Sequence, residues 1–331
     1  MNKILPKNFK ALFVKKEKEK FRLYLGKKNF NSLKKNEVLI KVLYSSLNYK
    51  DILVCSGNAG LVRKYPHTPG IDASGVVVKS RSKKFKIGDK VMVVAQPLGV
   101  NSDGGFSQYI KVPSHWVEKT PRNFSLKKSM IFGTAGFTAT LAVITLLNKK
   151  IKKDKPVLVS GATGGVGVFS IYILAKLGFS VVAISTKNKD KFLKKLGALE
   201  VLNFKEFCKN LNLPLLKIKY SAIIDNVGGD IIRLGSKQLD KNGKILSIGM
   251  ASGENINISL MPFILRGIEL IGINSEGTDA EMRKKIWKNI IKFSNKNRLN
   301  HLVRECSLNE VPNIIKKIKL NKNVGRYVIK F

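Results

Sequence analysis

Acidic residues are scarce in this chain: its 331 residues hold 22 Asp and Glu against 61 Lys and Arg, a formal net charge of +39. Cysteine is rarer still. Cys55, Cys208 and Cys306 stand far apart with no CxxC pair, which excludes a disulfide framework and a thiolate zinc site and fits a reducing compartment. The histidines, His67, His115 and His301, have neither the spacing nor the cysteine partners of a tetrahedral centre, so no metal is expected. Charges break every apolar run of the N-terminal stretch MNKILPKNFKALFVKKEKEKF. Neither a signal-peptide core nor a membrane span of about twenty apolar residues is expected anywhere. Internal repeats and low-complexity linkers are missing as well. What these absences leave is a globular chain, expected in the cytoplasm and long enough for two domains.

The positive charge raises the question of nucleic acid or an anionic membrane. The lysines are spread over the whole chain among many Asn and Ile, however, and form no arm or stripe. A basic nucleic-acid-binding protein built on an enzyme fold is therefore the weaker reading, and neither nucleic acid nor membrane is expected as a partner. The charge should still concentrate anionic substrates and cofactors in a salt-dependent way.

What the sequence does contain is centred on Val157 to Gly178, VLVSGATGGVGVFSIYILAKLG. A short β-type run feeds a turn with Gly161, Gly164, Gly165 and Gly167, and an apolar helix follows to the glycine stop. Glycines there permit positive φ and remove Cβ atoms that would hold a pyrophosphate away from the N–H groups at the helix start. The strand, turn and helix read together as a dinucleotide cradle.

Before this stretch, Ala11 to about Pro121 reads as a β-rich domain. Its strands are expected at Glu37 to Tyr44, Ala73 to Val78, Lys90 to Ala95 and Gln108 to Val112, and resemble a partly open barrel. Ser125 to Leu147 reads as a buried helix joining two domains. Strands at Val157 to Ser160, Val181 to Ser185, Glu200 to Phe204, Ala222 to Val227, Lys244 to Ile248 and Leu270 to Asn274 alternate with helices. They describe an α/β fold with a doubly wound parallel sheet, its ligand at the carboxyl ends of the strands. A helix over Ala280 to Phe293 and a final strand, helix and strand return the chain to the first domain. The expected domains are 1–125, 126–275 and a returning segment 276–331.

About twenty residues beyond the glycine loop, an NAD enzyme places an acidic residue on the ribose hydroxyls. This chain has Ser185, Thr186 and Lys187 instead. Two hydroxyls and an ammonium, with no carboxylate to repel a 2′-phosphate, predict NADPH as the cofactor. The segments Asn226-Val227-Gly228 and Ser247-Ile248-Gly249-Met250, at later strand ends, should run beside the nicotinamide. Asn48 and Tyr49, where a strand passes into a short helix, are the polar candidates for orienting nicotinamide and substrate. Tyr49 is also the candidate proton donor.

A short-chain dehydrogenase would carry its glycine loop near the N-terminus with a Tyr-x-x-x-Lys far downstream. Here the loop is mid-chain, and Tyr24 to Lys28 and Tyr172 to Lys176 are misplaced for that role. The order of parts instead resembles the medium-chain dehydrogenase/reductase superfamily. Zinc alcohol dehydrogenases of that superfamily show Cys where Asn48 stands and Gly-His-Glu where Gly70-Ile71-Asp72 stands, and their four-Cys lobe would fall in AQPLGVNSDGG. The blocks SSLNYKD, PGIDASG, GTAGFTA, SGATGGVG, MPFILRG and GRYVIKF resemble the zinc-free acrylyl-CoA reductase (NADPH) family in the same order. The resemblance implies a GroES-like catalytic domain beside a Rossmann domain, and NADPH-dependent reduction of acrylyl-CoA to propionyl-CoA in the detoxification of acrylate. It also implies a homodimer. Cofactor contacts are implied at Thr134, Gly161, Thr163, Gly164, Gly165, Val166, Asn226, Gly249, Met250 and Arg326, and a substrate contact at Arg266. A quinone or enone reductase on the same fold is the alternative.

Overall fold

A computed structural model describes residues 5–18, 20–58, 60–209, 213–294, 302–320 and 323–331. The chain divides into two compact units, Met1–Thr134 with Asn300–Phe331, and Ala135–Leu299. The expected boundary at 125/126 thus moves to 134/135, and the helix over 280–293 falls in the second unit, not in the returning segment.

The first unit opens with an antiparallel hairpin, β1 (Asn8–Glu17) and β2 (Lys20–Asn29). A curved sheet follows, with strands β3 (Glu37–Ser46), β4 (Ala73–Ser80), β5 (Lys90–Val93), β6 (Tyr109–Pro113) and β7 (Glu118–Lys119). The returning segment adds β14 (Val303–Ser307) and β15 (Arg326–Lys330), giving the order β14-β15-β3-β4-β5-β7, with β6 on β3. Alternation explains this register. Val38, Ile40 and Val42 of β3 point into one core with Val77, Val91, Val93 and Ile110, as the two-residue period of a half-buried strand requires. A second core lies under the hairpin and the returning helix α9 (Val311–Lys319), where Cys55 and Cys306 are buried among Leu12, Ile52, Val311 and Ile315. Both cysteines act there as small apolar residues.

The helix after this sheet, α2 (Leu126–Asn148), is interrupted at Gly133, whose φ of 50° and ψ of −155° are not helical. Among the described residues α2 alone is long and apolar enough to cross a membrane, contrary to the expectation that no such stretch exists, and 83% of that window is buried inside the protein. Beyond the break it belongs to the second unit, where Phe137 packs on Trp287 and under the Arg283 guanidinium.

The second unit is a six-stranded parallel sheet in the order β10-β9-β8-β11-β12-β13. Its strands are β8 (Val157–Val159), β9 (Val181–Ser185), β10 (Glu200–Asn203), β11 (Tyr220–Asp225), β12 (Leu239–Ser247) and β13 (Glu269–Gly272). Numbered from β8 the order is 3-2-1-4-5-6, that of a dinucleotide-binding doubly wound sheet, whose switch point lies between its first and fourth strands. β8 and β9 are fully buried apolar runs, as a sheet covered on both faces demands. Helices α3 (Gly165–Lys176) and α8 (Ala280–Phe293) run as the sequence predicts, α8 capped by the Asp279 carboxylate on Met282 N.

Candidate functional site: a glycine cradle and a buried polar cluster

In the second unit, β8 ends at the switch point and the chain turns through Gly161, at φ +56°, into α3. Gly164 is the N-cap of α3 and offers no side chain, while Gly165 and Val166 form its first turn, leaving N–H groups at the positive end of the helix without a side-chain cap. A Cβ on Gly167 would stand 2.4 Å from the Gly161 carbonyl oxygen, and one on Gly164 would stand 3.2 Å from it. The loop therefore folds this tightly only because these positions lack side chains. Thr163 is buried within the turn.

Beside it, the end of β11 is pinned by Asp225. This carboxylate accepts from Ser160 Oγ at 2.5 Å, from Gly228 N at 2.7 Å and from Val227 N at 3.2 Å. Burial pushes its carboxyl up, and these three bonds oppose the shift. Asn226 is locked by Nδ2 donating to Ser160 O at 2.8 Å and by its own N–H donating to Ser160 Oγ at 2.8 Å. Its Oδ1 is enclosed and has no hydrogen-bond partner. A lone acceptor beside a glycine loop and a bare helix start is the signature of a site built for a ligand with hydroxyl or amide donors and anionic groups. A dinucleotide fits that description. Gly249 approaches the Asn226 backbone so closely that a Cβ would meet Asn226 O at 2.4 Å, and Met250 is 59% exposed next to it. Ser185 closes β9 with its Oγ accepting from Lys187 N at 2.9 Å. Burial, with Lys189 nearby, pulls the half-buried Lys187 ammonium below the usual lysine range, a cost that an arriving phosphate would offset. The structure thus brings Gly161 to Val166, Asn226, Gly249, Met250 and the Ser185-Thr186-Lys187 strand end to the carboxyl edge of one sheet.

Arg266 has a different role from the one expected. Its Nη1 donates to Lys237 O and Leu239 O, both at 2.9 Å, and its Nη2 to Leu216 O at 2.7 Å. These bonds tie three segments of the second unit together and commit three of the five guanidinium donors to backbone carbonyls.

The first unit holds a separate polar cluster. Asp72, fully buried, accepts at Oδ2 from Ser46 Oγ (2.6 Å), Asn48 Nδ2 (2.8 Å) and Thr134 N (2.9 Å), and at Oδ1 from Thr134 Oγ1 (2.6 Å). Arg326, 2% exposed, donates to Asn48 Oδ1 (2.9 Å), Leu47 O (3.0 Å), Ser46 Oγ (2.9 Å) and Ile131 O (3.3 Å), with Nη2 3.9 Å from Asp72. Gly133 lets these groups meet, because a Cβ there would lie 2.4 Å from Asp72 Oδ2 and 2.6 Å from Ser46 Oγ. Three expectations change accordingly. Arg326 is enclosed with its guanidinium committed, so it cannot serve as a phosphate contact. Thr134 spends its hydroxyl on Asp72, while Ala95 N donates to it at 2.9 Å, so it belongs to this cluster and not to the glycine cradle. Asn48 turns both amide protons inward, to Asp72 and to Ser46 O at 3.3 Å, which removes it as a donor to substrate. Tyr49 is 53% exposed at the start of α1 (Tyr49–Cys55).

Asp51, Asp72 and Ser46 were missed as site residues. Their signal is two carboxylates and a hydroxyl in the polar block SSLNYKD and the turn PGIDASG of a chain otherwise poor in acid. Asp51 accepts from Asn48 N and Ile71 N, both at 2.8 Å. Burial raises its carboxyl from 3.8 to about 7, opposed by the backbone bond from Asn48 and reinforced by the charge of Asp72. The folded state therefore holds this proton more tightly than the unfolded chain does between pH 4 and 7. Stability should fall as pH rises through that window, by roughly 4 kcal/mol at most, and the full cost should be present above it. Denaturant midpoints measured from pH 5 to 8 should decline in the unaltered protein and flatten in Asp51→Asn; equal slopes would refute this origin. Among the described residues no group of three His, Cys, Asp or Glu side chains could hold a metal ion, and His301 lies outside them. His67 donates from Nε2 to Gly99 O at 2.9 Å.

Residues 34–122 match the alcohol dehydrogenase GroES-like domain and residues 165–294 the zinc-binding dehydrogenase domain. YhfP of Bacillus subtilis, named for quinone oxidoreduction, is 38% identical over 97% of this chain and 98% of its own. Acrylyl-CoA reductase AcuI of Ruegeria pomeroyi is 34% identical over 97% and 98%. The structure of Escherichia coli YhdH with bound NADPH superposes with a TM-score of 0.92 at 34% identity, over 97% of this chain and 99% of that one. That of YhfP with NAD bound gives the same score at 36% identity, over 98% and 100%.

Proposed function

We propose that this chain, which belongs to the medium-chain dehydrogenase/reductase superfamily, reduces the C=C bond of acrylyl-CoA to propionyl-CoA with NADPH. It is an oxidoreductase served by a nicotinamide cofactor; the substrate and the choice of NADPH are this proposal. One observation carries it: 34% identity to AcuI across both units, joined to a cradle whose second strand ends in Ser185-Thr186-Lys187 with no carboxylate.

NADPH would be held by the α3 N-terminus, the turn Gly161 to Val166 and the Asn226 side-chain Oδ1, and would supply the hydride. In a thioester the carbonyl draws charge from the β carbon, so that carbon accepts hydride, negative charge develops on the thioester oxygen, and the α carbon takes a proton. Donors fixed in advance at that oxygen give such a reaction its largest acceleration. Tyr49, exposed and adjacent to the locked Asn48, is the proposed proton donor. Asn48, Asp72 and Arg326 fix the start of α1 beneath it. The donor set at the family's zinc positions is Asn48 and Ile71, an amide and an alkyl group, so no metal is proposed in the step.

The partner assembly proposed is a second copy of the chain. Leu260, Met261, Ile264 and Leu265 on and beside α7 (Met261–Arg266) are 41–75% exposed, next to the edge strand β13. An open edge with apolar neighbours calls for cover, and sedimentation at micromolar concentration would reveal a dimer or a monomer. No nucleic acid is proposed as a partner.

The second reading, a quinone or enone reductase, is favoured by the similarity to YhfP. Chelator-treated enzyme assayed for NADPH oxidation with acrylyl-CoA, crotonyl-CoA and a small quinone separates the two. Turnover of acrylyl-CoA supports the proposal, and brisk quinone turnover without it transfers the function to the second reading.

A further inference from the structure

A concave site in the first unit has no part in the cluster around Asp72. It encloses about 340 Å³ and is lined by Val62, Arg63, Lys64, His67, Val100 and Asn101, within the size range of small-ligand sites. Its floor is fixed. His67 exchanges backbone bonds with Val14 at 2.7 and 2.9 Å, and its ring is held on Gly99 O.

Two features give the site a chemical character. Arg63 and Lys64 are exposed cations with no ion-pair partner among the described residues, and the nearby acid, Asp103, is already paired with Lys28. Val62 and Val100 supply apolar wall. Cations for phosphate, apolar walls for a purine and an amide for its edge together suit an adenosine phosphate. A free phosphate would leave most of this volume empty.

The site also lies within reach of the proposed chemistry. His67 precedes Ile71 by four residues, at most about 14 Å of extended chain, and Ile71 N is bonded to Asp51 in α1, whose first residue is Tyr49. We propose that this pocket binds the phosphate-bearing adenosine end of a CoA thioester, with Arg63 and Lys64 on the phosphates and Val62 and Val100 against the purine. The inference rests on the reading of the enzyme as an enoyl-thioester reductase, and it makes this loop the feature that separates a CoA ester from a quinone.

Acrylyl-CoA and acrylyl-pantetheine, which lacks the nucleotide, are to be compared as substrates of the unaltered enzyme, of the double variant Arg63→Ala/Lys64→Ala, and of a control that removes equal charge from α8, Lys284→Ala/Lys285→Ala. All four positions are exposed, so folding should be untouched, and melting curves verify this. The site predicts that kcat/KM for acrylyl-CoA drops about tenfold or more in the Arg63/Lys64 variant, mainly through KM. Acrylyl-pantetheine should be unaffected and the control should resemble the unaltered enzyme. Equal loss for both substrates, loss in neither, or the same loss in the control overturns the site. If the unaltered enzyme reduces neither thioester, the reductase reading fails, and calorimetry with CoA itself then decides the pocket separately. Binding that the double variant loses supports it; absence of binding, or displacement by an equal concentration of inorganic phosphate, overturns it.

Discussion

Replacing Arg326 with leucine should lower the unfolding free energy of the first unit by about 3–5 kcal/mol, the usual cost of removing one partner from a buried charge pair. Its guanidinium is enclosed and donates to Ser46, Leu47, Asn48 and Ile131 while facing Asp72. Without it, Asp72 loses the one cation facing it among the described residues, Asp51 loses a nearby positive charge, and two segments far apart in sequence, Ser46 to Asn48 and Ile131, lose their common donor. The chain has two tryptophans, and they fall one in each unit: Trp116 in the first and Trp287 in the second. In a Trp287→Phe background, the fluorescence of Trp116 reports the affected unit during urea unfolding. A midpoint unchanged by Arg326→Leu, accompanied by loss of NADPH affinity, would restore the phosphate contact implied by family resemblance and contradict the structural role.

Ser185→Asp should reverse cofactor preference. Ser185 is 6% exposed at the end of β9, and its Oγ accepts from Lys187 N. A carboxylate there can keep that bond while adding a negative charge at the ribose position and neutralising the Lys187 ammonium. Like-charge juxtaposition in a partly enclosed site costs several kcal/mol, so the ratio of NADPH to NADH affinity should fall by a factor on the order of 10² to 10³. Fluorescence titration with both cofactors measures it. Equal affinities in the unaltered protein, or an unchanged ratio in the variant, would refute the assignment of this strand end to the 2′-phosphate.

The parts of the molecule that were legible in the sequence are those set by local pattern. β9 and α8 occur where apolar runs and spacing predict them, and the parallel sheet follows from six such runs separated by helices. The hairpin β1–β2 was not legible, since KKEKEK hides the turn between two alternating strands in a run of charges. The break in α2 escaped because apolar residues continue on both sides of Gly133 and nothing local marks a helix that must open around Asp72. The polar cluster was legible only as separate blocks. Its Ser46–Arg326 bond spans 280 positions, and burial of an arginine is decided by which distant carboxylate folds against it. Composition hides this too: in a chain with 61 Lys and Arg, no single cation is conspicuous. The glycine turn and the start of α3 were legible because glycine spacing and helix start are contiguous.

In the proposed reaction hydride passes to the β carbon of an enoyl thioester. The most direct measurement incubates the enzyme with acrylyl-CoA and NADPH deuterated at the transferred position, then locates the label in propionyl-CoA by mass spectrometry and NMR. One deuterium on the β carbon and one solvent-derived hydrogen on the α carbon are expected. Deuterium on the α carbon, or no propionyl-CoA while a quinone is reduced rapidly, would contradict it.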